Sequence, residues 1–299
     1  RTAFWRKFLK NLIARLLLFF IGVPGIIAAA LFFPHFLYAP LAAIILLFSG
    51  GSAYELSSLL QLPKKPFYHI LSVLCGIIPP LSAYLTGLFL STENAGLLII
   101  GISSIASMTL FFAIASMIVF TRNKDSIDYI LSNIKYFLFI IIYPGLLSAM
   151  LIALLTYKLA GFIILWFAAI VFANDSFAWL IGITLGKHRG IFVVSSNKSL
   201  EGFIAGLAGS IIAAIIIPAI TPIHTVFSFP LWSLALLGFF CAISAVIGDL
   251  FESALKRNAN IKDSGTSIPG RGGFLDSFDS ILATVPTFTL FLLLYQISL

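Results

Sequence analysis

The chain has 299 residues, of which 60% are hydrophobic and only 10% charged, too much apolar surface for a water-soluble domain of this length to hide. This composition excludes a soluble globular fold and implies an all-α, polytopic integral membrane protein of about nine spans. Its net charge of +7 is spread over short loops rather than gathered on one patch. That pattern excludes a nucleic-acid partner and fits membrane topology and anionic head groups.

Taken in order, the apolar runs predict spans at roughly 12–33, 36–60, 70–90, 96–120, 136–157, 160–182, 201–220, 231–255 and 277–297. Arg1, Arg6, Lys7 and Lys10 precede the first run, and Ala28-Ala29-Ala30 lies within it, as in a signal peptide. The run continues to Phe33, too long for a cleaved h-region, so it is read as a retained first helix. Cys75 and Cys241 both lie in apolar stretches and form no disulfide or zinc spacing. The chain divides into residues 1–135, with about four spans and a cytoplasmic segment, and residues 136–299, with five spans and the catalytic chemistry.

Placing the basic N-terminus in the cytoplasm puts every lysine and arginine except Arg15 and Lys158 on the inner side. The expected location is therefore the cytoplasmic (inner) membrane, multi-pass, with the polar loops facing the cytoplasm. Residues 121–135 mix charge with Ile127, Tyr129, Ile130 and Ile134. They read either as a helix lying in the interface or as an ordinary solvated loop helix.

Polar groups inside the spans are costly and therefore informative. Glu55, after Gly50-Gly51, either lines a lipid path or pairs with a neighbouring helix. Asn174-Asp175 puts an amide and a carboxylate near the end of the sixth span, as part of a site or as a helix-helix hydrogen bond. The segment from Ser195 through Lys198 and Ser199 to Glu201-Gly202 is a hydroxyl-rich loop ending at a helix start, which simple capping would also explain. His35, His69, His188 and His224 are scattered and read as interfacial residues. No fixed-period or inverted repeat is visible.

The densest charge falls between Ser244 and Ser280, where five of the eleven acidic residues gather between apolar runs. Asp249, Glu252, Ser253 and Lys256 are spaced to share one helix face. The Ser264–Gly273 loop holds four glycines, and Asp276 and Asp279 open the next helix on one side. A loop with free N–H groups leading into a helix suits phosphate, while acidic side chains from two helix ends suit a divalent cation. The segment reads as a metal and polyphosphate site; a polar loop solvated at the interface is the alternative.

From Ser253 to Asp279 the sequence resembles the signature of the phosphatidate cytidylyltransferase family. The match comprises Ser253, an apolar pair, Lys256-Arg257, Lys262-Asp263, Pro269, Gly272-Gly273, Asp276 and Asp279. Arg271 stands where the family usually has histidine, and Ser277 where it has arginine. Arg271 cannot shuttle a proton. The Asn174-Asp175 and Ser195–Gly202 segments resemble two further family motifs, with Ser196, Asn197 and Ser199 replacing the usual Pro, Lys and Thr. The resemblance covers roughly residues 170–285; the first 160 residues match only in hydrophobicity.

The resemblance implies transfer of CMP from CTP to phosphatidate, giving CDP-diacylglycerol and pyrophosphate for phospholipid synthesis. It implies Mg²⁺ held by Asp249 and Asp276, with a second cation left open, and Asp279 and Lys262 among the catalytic groups. Asn174, Asp175, Ser195, Lys198, Glu201, Glu252, Ser253, Lys256, Arg257, Arg271, Gly272 and Gly273 would bind substrate. The expected partners are CTP, phosphatidate, membrane lipid and a second copy of the chain in a homodimer. Two other functions stay in view: a CTP-dependent lipid kinase or cytidylyltransferase of another lipid phosphate, and an ion-coupled transporter using Glu55, Asp175 and Asp249.

Overall fold

Inside a bilayer no water satisfies the backbone, so long apolar runs close their hydrogen bonds internally as helices. The computed structural model of the chain describes residues 18–90, 96–116, 124–268 and 270–297. Among the described residues, eight helices are long and apolar enough to cross a membrane, and there is no strand. A shorter apolar helix at Phe20–Phe32 occupies the described part of the predicted first span, whose first residues lie outside the described ones.

After α1 (Val23–Phe32) come α2 (His35–Leu59), α3 (Pro66–Leu90) and α4 (Gly96–Ser116). Helix α5 (Lys124–Ile140) runs through a π-turn at Ile141–Leu146 into α6 (Leu147–Ala153). These form one span at Leu131–Thr156, which therefore starts five residues before its predicted boundary. The helical register of residues 124–140 continues into this span; residues 121–123 and the side chains of 124–130 lie outside the description. The chain closes with α7 (Ala160–Thr184), α8 (Leu200–Ile220), α9 (Leu231–Asn258) and α10 (Leu275–Ile297).

The Leu131–Thr156 span is the most enclosed of the eight. Pro144 lies in its π-turn, where the missing N–H is accommodated by the widened helix. Ser49 Oγ of α2 lies 2.8 Å from the Pro144 carbonyl and 2.7 Å from that of Gly76 in α3. It joins three helices at one polar point.

Lipid tails are as apolar as leucine, so helices associate through close packing at small residues. On α8, Gly202, Gly206 and Gly209 face α7: a Cβ on Gly202 would lie 2.6 Å from the Ala178 carbonyl, and one on Gly206 2.9 Å from that of Asn174. On α9, a Cβ on Gly248 would lie 2.8 Å from the Asp279 carbonyl of α10. These two close contacts bring the polar ends of α7, α8, α9 and α10 together.

Candidate active site

Helix α9 extends to Asn258, three residues past its predicted end, and its last turns carry Asp249, Glu252, Lys256 and Arg257. Lys256 and Arg257 suit the negative end of the helix dipole. Lys256 is ion-paired with Glu252 one turn back, and its Nζ lies 2.7 Å from Asp276 Oδ1 on α10.

Where Gly248 lets α9 and α10 approach, three carboxylates converge. Oxygens of Asp249, Glu252 and Asp279 all lie within 4.8 Å of one another. Glu252 is 1% exposed and Asp279 6%. Among the described residues, Glu252 Oε1 is buried without a hydrogen-bond partner. Carboxylates this close in an apolar setting repel unless positive charge lies among them. Lys256 meets only Oε2 of Glu252 and Lys198 meets Oδ2 of Asp249, so the oxygens left over fit a hard divalent cation.

Asp276 borders this cluster, beside Glu252 and sharing Lys256 with it, but its oxygens are taken up elsewhere. Its Oδ1 takes the lysine, and its Oδ2 accepts from Ser264 N at 2.9 Å and Gly273 N at 2.7 Å. At Gly272 the backbone turns with φ +108°, a conformation glycine adopts readily, and this turn delivers the Gly273 N–H to Asp276. Asp276 thus folds the glycine-rich loop onto the start of α10.

The α7–α8 connection forms the opposite wall. Arg189 donates to the carbonyls of Gly182 at 2.8 Å and Asn197 at 3.1 Å, closing the C-terminal end of α7. Ser199 caps α8 by accepting from Gly202 N. Glu201 accepts from Lys187 N at 3.1 Å and pairs with His188 Nδ1 at 2.6 Å, so its carboxylate is spent on the loop. A cavity of about 430 Å³ lies between this loop and α7, α8 and α9, lined by Asn174, Asp175, Trp179, Phe192, Lys198 and Asp249 among others. Lys198 is ion-paired with Asp249 across its inner end. Asp175 is within electrostatic range of Asp249, Lys198 and Arg271, which draws the signature loop to the same place.

Other expected residues fall around this centre. Ser253 Oγ is 3.5 Å from Asp249 Oδ1. Arg257, Lys262 and Arg271 are exposed at the polar end. Ser195 accepts from Lys198 N through its carbonyl, shaping the turn. Pro269 lies outside the described residues.

Two contributors come from the first 160 residues, which carry no motif. Glu55 of α2 accepts from Ser264 Oγ, Ser267 Oγ and Leu275 N, which resolves the open reading of this residue in favour of pairing. Its signal in the sequence was a carboxylate inside an apolar run, one turn after a glycine. Tyr143, in the π-turn, is buried with its Oη unpartnered among the described residues, within electrostatic range of Asp279, Glu252 and Asp249. No local signal marked it, because its position depends on the π-turn.

Across 139 residues, 46% of the chain, it is 39% identical to the phosphatidate cytidylyltransferase of Bacillus subtilis (48% of that protein's length). It is 36% identical to that of Staphylococcus saprophyticus and 37% to that of Staphylococcus haemolyticus, over 50% of each. These alignments span about half the length of the curated relatives. A profile of the cytidylyltransferase family matches residues 13–295, nearly the whole described bundle, and the chain belongs to that family.

Proposed function

We propose that this chain transfers CMP from CTP to phosphatidate, producing CDP-diacylglycerol and pyrophosphate at the cytoplasmic face of the inner membrane. The observation that carries this reading is the buried carboxylate cluster with an unpartnered Glu252 oxygen, set beside lysines at the ends of membrane helices. Membrane context and family support a lipid acceptor, and the relatives at 36–39% identity are named for phosphatidate.

Asp249, Glu252 and Asp279 would hold the divalent cation, taken to be Mg²⁺. This proposed ligand set differs from the Asp249–Asp276 pair that the resemblance implies, because both Asp276 oxygens are engaged by Lys256 and the loop. When bound, the cation neutralises phosphate charge and polarises the phosphoryl group under attack. A lipid phosphate with a second pKa of about 6 is largely dianionic at neutral pH. Its oxygen attacks the α-phosphorus of CTP as the bond to pyrophosphate breaks. No strong general base is needed, so an arginine at position 271 is compatible with the step.

Charge compensation falls to the side chains. Lys198 holds Asp249 and is placed to exchange it for phosphate, while Lys256, held by Asp276 and Glu252, would meet phosphate in that position. Arg257, Lys262 and Arg271, exposed at the same end, would meet the triphosphate as it arrives from water. Residues 136–299 then carry the chemistry, and residues 1–135 the supporting helices. The acidic groups gather at helix ends, which favours an interfacial enzyme over an ion path through midspan.

Incubating purified protein with labelled CTP, Mg²⁺ and phosphatidate and weighing the product tests this directly. A CDP-lipid plus pyrophosphate is expected. A phosphorylated lipid plus CDP would instead identify a kinase.

A further inference from the structure

Four residues of α2, Phe48, Gly51, Ser52 and Glu55, are spaced to share one helix face. Three of them meet the glycine-rich loop or the start of α10. The Phe48 ring lies edge-on to Phe274 at 5.2 Å and beside Phe278 at 5.5 Å. A Cβ on Gly51 would overlap the Phe274 ring, so a glycine lets the ring lie there. One turn on, Glu55 is 4% exposed. Its Oε1 accepts from Ser267 Oγ at 2.8 Å, and its Oε2 from Ser264 Oγ and Leu275 N, both at 2.9 Å. The loop is shaped around this carboxylate: a Cβ on Gly265 would overlap Oε1, and one on Gly273 would overlap Oε2.

The contacts continue to the candidate metal centre. Ser264 gives its hydroxyl to Glu55 and its N–H to Asp276 Oδ2, Asp276 Oδ1 takes Lys256 at 2.7 Å, and Lys256 pairs with Glu252. We propose that Glu55 is a positioning residue for the transferase: from the first 160 residues, which carry no motif, it fixes the Ser264–Leu275 loop and, through Asp276, the lysine beside the acidic cluster. A carboxylate suits this place because its two oxygens accept from three donors at once and the start of α10 is electropositive. A glutamine there keeps one accepting oxygen, loses the charge, and forces a serine hydroxyl to turn from donor to acceptor.

The activity arm of the test rests on the proposed function; the exchange arm does not. In Glu55→Gln, turnover is expected to fall about 10²-fold, the scale of a displacement near 1 Å in a reacting geometry, and the apparent Mg²⁺ constant to rise because Lys256 is no longer held. Hydrogen exchange is expected to quicken in residues 264–276 and stay unchanged in α7 and α8. In a Ser264→Ala background the same substitution should cost much less, since the two share one route. Wild-type turnover with wild-type exchange would overturn the proposal. So would additive losses, an unchanged Mg²⁺ constant, or a loss of protection spread over the whole bundle. Should Glu55→Gln fail to fold, Ser267→Ala removes one donor alone: a several-fold loss of turnover with faster loop exchange supports the proposal, and no change in either refutes it. If the native protein makes no CDP-lipid, the proposed function fails, and loop exchange in Glu55→Gln still decides this inference.

Discussion

Helices α2 and α9 each bury a glutamate, and the two are held in opposite ways. Glu55 has donors on both oxygens, all neutral, and glycines cleared from around it. Glu252 is still more deeply buried; one oxygen is ion-paired with Lys256, the other has no partner among the described residues, and two further carboxylates lie close by. A satisfied buried carboxylate fixes structure, because its desolvation is offset by hydrogen bonds formed within the fold. A half-satisfied one in an acidic cluster implies a ligand, because the lysine on one oxygen leaves the other and the neighbouring carboxylates uncompensated. The difference separates the part of the site that holds shape from the part that does chemistry.

The sharpest way to break this comparison is to remove the cluster's other members. Asp249→Asn or Asp279→Asn is expected to lower CDP-lipid formation by about 10³-fold or more, with helical content and elution in detergent unchanged. Next, Glu252→Gln should cost about 10²-fold in turnover, with no loss of thermal stability in the cation-free protein, since it relieves repulsion. Glu55→Leu should behave in reverse, losing about 2 kcal/mol or more of stability by stranding buried donors, as read from the melting midpoint. Equal stability effects at the two positions would erase the distinction.

A smaller effect is expected for Lys198→Ala, which frees Asp249 on the cavity side: about a tenfold rise in the apparent constant for an anionic substrate, measured by steady-state kinetics. The smallest is Arg257→Ala. Its side chain is exposed, so a change of about threefold or less is expected, fading as salt rises.

Much of this was legible in the sequence. Span positions followed from apolar run length alone, and the described helices fall within a few residues of the expected bounds, because backbone satisfaction in lipid leaves helices few alternatives. The residues of α9 and α10 were legible as a site because charge is so scarce elsewhere in the chain. Their division of labour was not. The resemblance pairs Asp249 with Asp276; in the structure the turn at Gly272 points N–H groups at Asp276, and the close approach at Gly248 gathers Asp279 with Asp249 and Glu252, an arrangement that no spacing rule supplies. Glu201 and Arg189 were likewise visible as polar residues but not as the fasteners of their own loop. Tyr143 and the docking face around Glu55 depend on tertiary contacts across long sequence separations, which no local pattern encodes.

The central claim is that Asp249, Glu252 and Asp279 form a cation site on which CMP transfer depends. The most direct measurement is CDP-diacylglycerol formation from labelled CTP and phosphatidate as Mg²⁺ is titrated into chelator-stripped protein, with Asp279→Asn and Asp276→Asn run alongside. The account predicts no product without the cation, saturable recovery in the native protein, no recovery in Asp279→Asn, and weaker but cation-dependent recovery in Asp276→Asn. Undiminished turnover in chelator, or native turnover in Asp279→Asn, would contradict it.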